Sequence, residues 1–172
     1  MQKPLSVHEA LIWVMVTTAV ADRAMTESEL EQLQRLIAFL PVSDGFDGSV
    51  GDIADACSAN LKSANGIDRI LDRVADALPE RLHETAYALA VEVAASDVDV
   101  KQEELVFLQM LEDRLDLEKL GVAAIEHSAR VRYRKHGVIL TRGRQHRGQP
   151  GTGAADDVGE TFPAWRFLAH PV

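Results

Sequence analysis

Five carboxylates are the residues of this chain whose type and placement suit chemistry: Asp22 and Glu29 in one stretch, Asp97, Asp99 and Glu104 in another. Grouped carboxylate oxygens are the ligands that hard cations such as calcium and magnesium take. The spacing is not that of an EF-hand, which needs glycine at the sixth position of its loop and glutamate at the twelfth. Counted from Asp97 those places hold Gln102 and Leu108; counted from Asp22 they hold Glu27 and Leu33. A second use for the same acids is local. Thr26 with Glu29 reads as a capping box at a helix start and Asp99 with Gln102 as another, and acids in a first helical turn offset the helix dipole with no ion present. Both uses remain open at this point.

Other chemistry-bearing types point nowhere in particular. His8 and His83 each precede a glutamate, Glu9 and Glu84, and neither has a second ligand four residues on. A zinc site is therefore unsupported, and both read as first-turn or surface histidines. Cys57 is the only cysteine and has no histidine near it in sequence, so it reads as a small buried side chain. One cysteine allows no internal disulfide, which fits a reducing compartment. Gly45, Gly48 and Gly51 neither follow a strand nor lead to Gly-Lys-Ser, so they form no phosphate loop. No set of nucleophile, base and orienting group can be assembled, and the chain reads as non-enzymatic.

The elements that must position the acids are repeated. Residues 8–40 recur, 75 positions later, as residues 83–115, with eleven identities in 33 aligned places, among them His8/His83, Asp22/Asp97, Glu29/Glu104, Leu33/Leu108 and Leu40/Leu115. Each copy reads as a mostly apolar helix, an acidic elbow around the shared aspartate, then an amphipathic helix opened by acids. The first helix runs from about 7 to 21, with Ser6 and Glu9 as its capping box, and is apolar on almost every side, as a helix at the centre of a bundle must be. Trp13 reads as core. Helix two follows Thr26 and carries the stripe Leu30, Leu33, Ile37 and Leu40 before Pro41 ends it.

Residues 43–49 form a loop by composition, and modest helices come after it at about 50–62 and 67–78, the latter closed by Pro79. Helix five, about 80–95, is rich in alanine, so a neighbouring backbone can approach closely; helices one and five are expected to pack together. Helix six, about 102–115, repeats the stripe with Leu105, Leu108, Leu111 and Leu115, and a seventh runs from about Glu118 into the 130s. The reading is an all-α fold of about seven helices, two pseudo-symmetric helix-elbow-helix repeats forming one bundle over 1–135. Residues 136–172 are a basic, Gly- and Pro-containing tail without helical or strand period, expected to be largely disordered. Within it Phe162, Trp165, Phe167 and Leu168 offer a segment for docking on this molecule or another.

Charge divides along the same line. The net charge is −9, but residues 1–129 hold 10 Lys and Arg against 24 Asp and Glu, whereas residues 130–172 hold 8 against 3. An acidic body argues against general binding to phosphate backbones and favours cations or basic partner surfaces. The basic tail leaves weak, salt-sensitive nucleic-acid contact as a minor third reading. At the N-terminus, Lys3, the apolar run Leu11 to Val16 and Ala19-Val20-Ala21 mimic a secretory signal. The second copy carries an equally apolar, small-residue helix deep inside the chain, where no signal can lie, so the protein is read as cytoplasmic with no membrane-spanning segment.

The two-copy pattern of a small-residue helix ending Ala19-Val20-Ala21-Asp22 and Ala94-Ala95-Ser96-Asp97, with Glu-Leu seven residues past each aspartate, resembles the TerB-like family. That family comprises tellurite-resistance proteins of the TerB kind and the N-terminal domain of a membrane-anchored DnaJ-like co-chaperone. The likeness covers residues 5–134. It implies an all-helical fold with pseudo-twofold symmetry and a cation site made by the acids of the two elbows. It also implies a role in tellurite or metal stress, with protein partners that include integral membrane proteins at the inner membrane surface. In the family a glycine commonly comes after the elbow aspartate; here Arg23 and Val98 stand in its place. Without the metal, the same acidic surface reads as a protein-protein interaction module.

Overall fold

The structure is a computed structural model, and it describes residues 3–20, 25–96 and 102–134. Seven α-helices account for most of these: α1 Val7–Ala19, α2 Glu27–Ala38, α3 Val50–Leu61, α4 Gly66–Ala77, α5 His83–Ser96, α6 Gln102–Arg114 and α7 Lys119–Arg132. Two 3-10 turns, Pro41–Ser43 and Glu80–Leu82, join them, and no strand occurs among the described residues. The basic segment 136–172 and both elbows, 21–24 and 97–101, lie outside the described residues.

The chain places its most apolar helix where no face meets water. Nine consecutive residues of α1, Ala10 through Thr18, are buried. A helix this uniformly apolar gains stability only if neighbours cover all sides, and α1 packs against α2, α3, α4, α5 and α6. The two threonines in that run bring hydroxyls into the core, and each returns its proton to the helix. Thr17 Oγ1 donates to Trp13 O at 2.7 Å and Thr18 Oγ1 to Val14 O at 2.9 Å. A buried hydroxyl so bonded escapes the cost of an unsatisfied donor. On the rim of the helix the Arg73 guanidinium lies over the Trp13 ring, 4.4 Å from its centroid, and the indole is buried beneath it.

α5 is the second central helix. Ala86, Ala90, Ala94 and Ala95 are all buried, and the helix packs against both α1 and α7. The helix does not start at residue 80, because the chain leaves Pro79 through a 3-10 turn and becomes α-helical only at His83. α2 sits at the edge. Of its expected stripe only Leu33 and Ile37 are fully buried, while Leu30 and Leu40 are partly covered.

Local chemistry sets the helix ends. Ser6 Oγ accepts from Glu9 N–H at 3.2 Å and the Glu9 carboxylate accepts from Ser6 N–H at 2.6 Å, a complete capping box. That backbone donor holds the Glu9 carboxyl below its ordinary value of 4.5. A lowered carboxyl stabilises the fold above the unfolded-state value, and the contribution fades as pH falls through the lowered one. At the other end of the scale of tightness is Gly66, which opens α4 directly after Asn65, itself in the left-handed region at φ 55°. A Cβ on Gly66 would lie 2.5 Å from both Asn60 O and Leu61 O, backbone atoms that cannot swing aside. Gly66→Ala is expected to cost roughly 1–3 kcal/mol, the usual range for overpacking, and thermal unfolding should show a lowered Tm; an unchanged Tm would contradict this reading of the α3–α4 corner.

Candidate functional site

The clearest functional feature is a groove beside α2. It has a volume of about 250 Å³ and takes lining from five helices. Ala19 comes from the last turn of α1, Glu29, Leu33, Leu36 and Phe39 from one face of α2, Val93 and Ser96 from the last turns of α5, Glu104 from the first turn of α6, and Tyr133 from the end of α7. The C-terminal turns of α1 and α5 thus open on the same cavity, so these helices do not run antiparallel. Each elbow is entered from a helix end that borders it.

Of the five carboxylates the sequence singled out, Glu29 and Glu104 line this groove; Asp22, Asp97 and Asp99 lie outside the described residues. Glu29 is the capping partner expected of it. Its Oε2 accepts from Thr26 N–H at 2.8 Å and Thr26 Oγ1–H at 2.7 Å. Glu104, its counterpart in the second copy, is only 3% exposed, and a carboxylate so buried persists as an ion only among counter-charges or hydrogen bonds. Neither α1 nor α5 has a basic residue in its last turn, so the negative ends of both helix dipoles face the elbows without a side-chain cation on either helix. Of the groove's other charged groups, Arg35 pairs with Glu31 at 3.6 Å. Glu92 pairs with Arg132, and its Oε1 accepts from Tyr133 O–H at 2.5 Å. Burial, and then the neighbouring carboxylate, push the Tyr133 hydroxyl up to about 12.

These donors suit a hard cation by type, since they are carboxylate oxygens near two helix C-termini. They do not complete a coordination shell. Among the described residues no group of three or more His, Cys, Asp or Glu is placed to hold a metal ion, whereas calcium takes six to eight oxygens.

Both histidines lie in the first turn of their helices, as expected, His8 in α1 and His83 in α5. Neither ring is a free surface group. His8 Nε2 donates to Val42 O at 2.9 Å while its ring tilts against Phe46, 5.5 Å between centroids. His83 lies between two carbonyl oxygens, Leu115 O at 3.1 Å from Nδ1 and Leu78 O at 3.2 Å from Nε2. Each ring ties the start of its helix to the chain just past the end of the next helix in its copy. Their shared position in the repeat was the available signal for this role. Two further contacts carried no signal: Tyr87 donates to Glu126 Oε1 at 2.8 Å in the α5–α7 interface, both residues nearly inaccessible, and the partly exposed Arg114 of α6 reaches Asp68 and Asp72 of α4.

No family model, curated protein sequence or solved structure matches the chain, and among the described residues no helix is long and apolar enough to cross a membrane.

Cys57 is core, as its sequence context suggested. Its thiol is fully buried, 3.4 Å from Thr17 Oγ1 and 3.8 Å from Trp13 O. Burial pushes the thiol up to about 12, so thiolate, the reactive form, is scarce at physiological pH. The folded protein at about pH 8, near the ordinary thiol range, is expected to resist a thiol reagent that labels the denaturant-unfolded chain at once; complete labelling of the folded protein at the unfolded rate would contradict this placement.

Proposed function

We propose that the chain is a non-enzymatic, TerB-like stress-response protein that binds one hard divalent cation, calcium or magnesium, where its two elbows meet. The observation that carries this is that Glu29 and Glu104, equivalent residues of the two copies and 75 positions apart, line one groove. In this reading Asp22, Asp97 and Asp99 complete the oxygen donors, and the two copies act as equivalent halves, each held closed by its histidine. The negative ends of α1 and α5 add to the attraction, an effect worth roughly 0.3–1 kcal/mol per helix at exposed sites. The acidic body supports a cation as partner in preference to a phosphate backbone. A bound cation would lock both elbows to each other and so fix the relation of α2 to α6. The link to tellurite or metal stress, and to protein partners at an inner membrane surface, rests on the family resemblance alone.

A second reading, a metal-free protein-docking module, is favoured by Phe39, a large apolar side chain 86% exposed at the mouth of the same groove. Calorimetric titration of chelator-stripped protein separates the two. Calcium or magnesium is expected to bind with one ion per chain, and Asp22→Asn combined with Asp97→Asn should weaken binding at least tenfold while leaving helical content intact. Absence of binding by calcium, magnesium and manganese would overturn the cation reading and leave the docking module.

A further inference from the structure

The groove beside α2 has two unlike ends. Glu29 and Glu104 lie at the elbow end; ten residues along α2, about 15 Å at the helical rise, Phe39 stands at the outer end with Leu36 behind it. Exposed aromatic side chains at the mouth of an apolar groove mark surfaces that something covers. The chain itself supplies a candidate. α7 ends at this place, where Tyr133 lines the groove, and the chain soon continues as His136-Gly137-Val138-Ile139-Leu140-Thr141-Arg142-Gly143-Arg144.

We infer that residues 136–144 dock, within the same molecule, along the outer end of the groove between α2 and α5. Three arguments converge on this segment. Its apolar triplet Val138, Ile139 and Leu140 matches walls made by Leu36, Phe39 and Val93. Residues 134–147 carry five Lys and Arg and no acid, and the groove they would enter is lined by three carboxylates, Glu29 and Glu104 at its elbow end and Glu92, which pairs with Arg132, nearer the end of α7. The reach is short: six residues lead from Tyr133 to Ile139, at most about 20 Å of extended chain, and the apolar half of the groove spans little more than one α2 turn. A segment tethered this closely meets its groove at an effective concentration of about a millimolar, so docking needs only modest intrinsic affinity. The docked segment covers Phe39, and any external partner of this face must displace it. The cation reading concerns the elbow end and is not needed for this one.

Hydrogen exchange of the full-length chain, read by mass spectrometry at several protein concentrations, tests the inference. Amides of 138–140 are expected to exchange at least tenfold more slowly than in a free peptide of residues 134–147. The slowing should vanish in Phe39→Ser, a change at an exposed position that leaves the core alone, and in Ile139→Asp, a change that touches none of the seven helices. Exchange at the free-peptide rate in the parent chain would overturn the proposal. So would slowing that survives both substitutions, that grows with protein concentration and so reports docking on a second copy, or that falls on 162–168 while 138–140 remain at the free rate.

Discussion

A helix with nine consecutive buried residues has no face to give to water, and the remainder of this molecule is arranged to cover it. α1 cannot lie on a surface, so five other helices must reach it, and their loops must be short enough to return each time. The same requirement explains the hydroxyls of Thr17 and Thr18, which are bonded back to the helix because no solvent is near. It also explains the fate of Cys57, held against Thr17 and Trp13 as packing material with its thiol suppressed. Removing a large aliphatic side chain such as Leu11 from that core would cost about 2–5 kcal/mol, a large share of the stability typical of domains this size.

Once α1 is central, the positions of the acids come with it. α5 packs against it, and the C-terminal turns of both helices open on one groove. The chain must leave each of those turns through an acidic elbow and start again at α2 and α6, so Glu29 and Glu104 arrive at the same cavity from distant places in the sequence. The histidines hold this arrangement from the other side, each binding carbonyl groups where the chain emerges from the next helix. Fold and candidate groove are therefore linked: the helix that must be buried determines where the last turns of α1 and α5 open.

Much of this was legible in the residues because it is local. The capping boxes Ser6/Glu9 and Thr26/Glu29 depend on atoms three residues apart and sit as the spacing predicted. Helix starts and stops at Pro41 and Pro79, the loop after Pro41, and the all-round apolar character of α1 are equally short-range. What escaped the sequence is what distance in the chain hides. Helix five was expected to begin at Glu80, but Pro79 opens a 3-10 turn and the His83 ring is drawn between Leu78 and Leu115, a contact no window of sequence contains. The first-turn places of His8 and His83 were legible, but the carbonyl contacts that hold their rings were not, for the same reason. The Tyr87–Glu126 bond and the groove itself arise only where helices far apart in sequence meet.

The central claim is that the two elbows serve one ion, and locating that ion tests it most directly. Crystals of the full chain grown with manganese, a hard divalent ion with a usable anomalous signal, should show a single anomalous peak between the elbows. Carboxylates of both copies, Glu29 or Asp22 on one side and Glu104, Asp97 or Asp99 on the other, should lie at coordination distance. No peak there, or a peak held by one elbow alone, would contradict the account and leave the acids as helix caps.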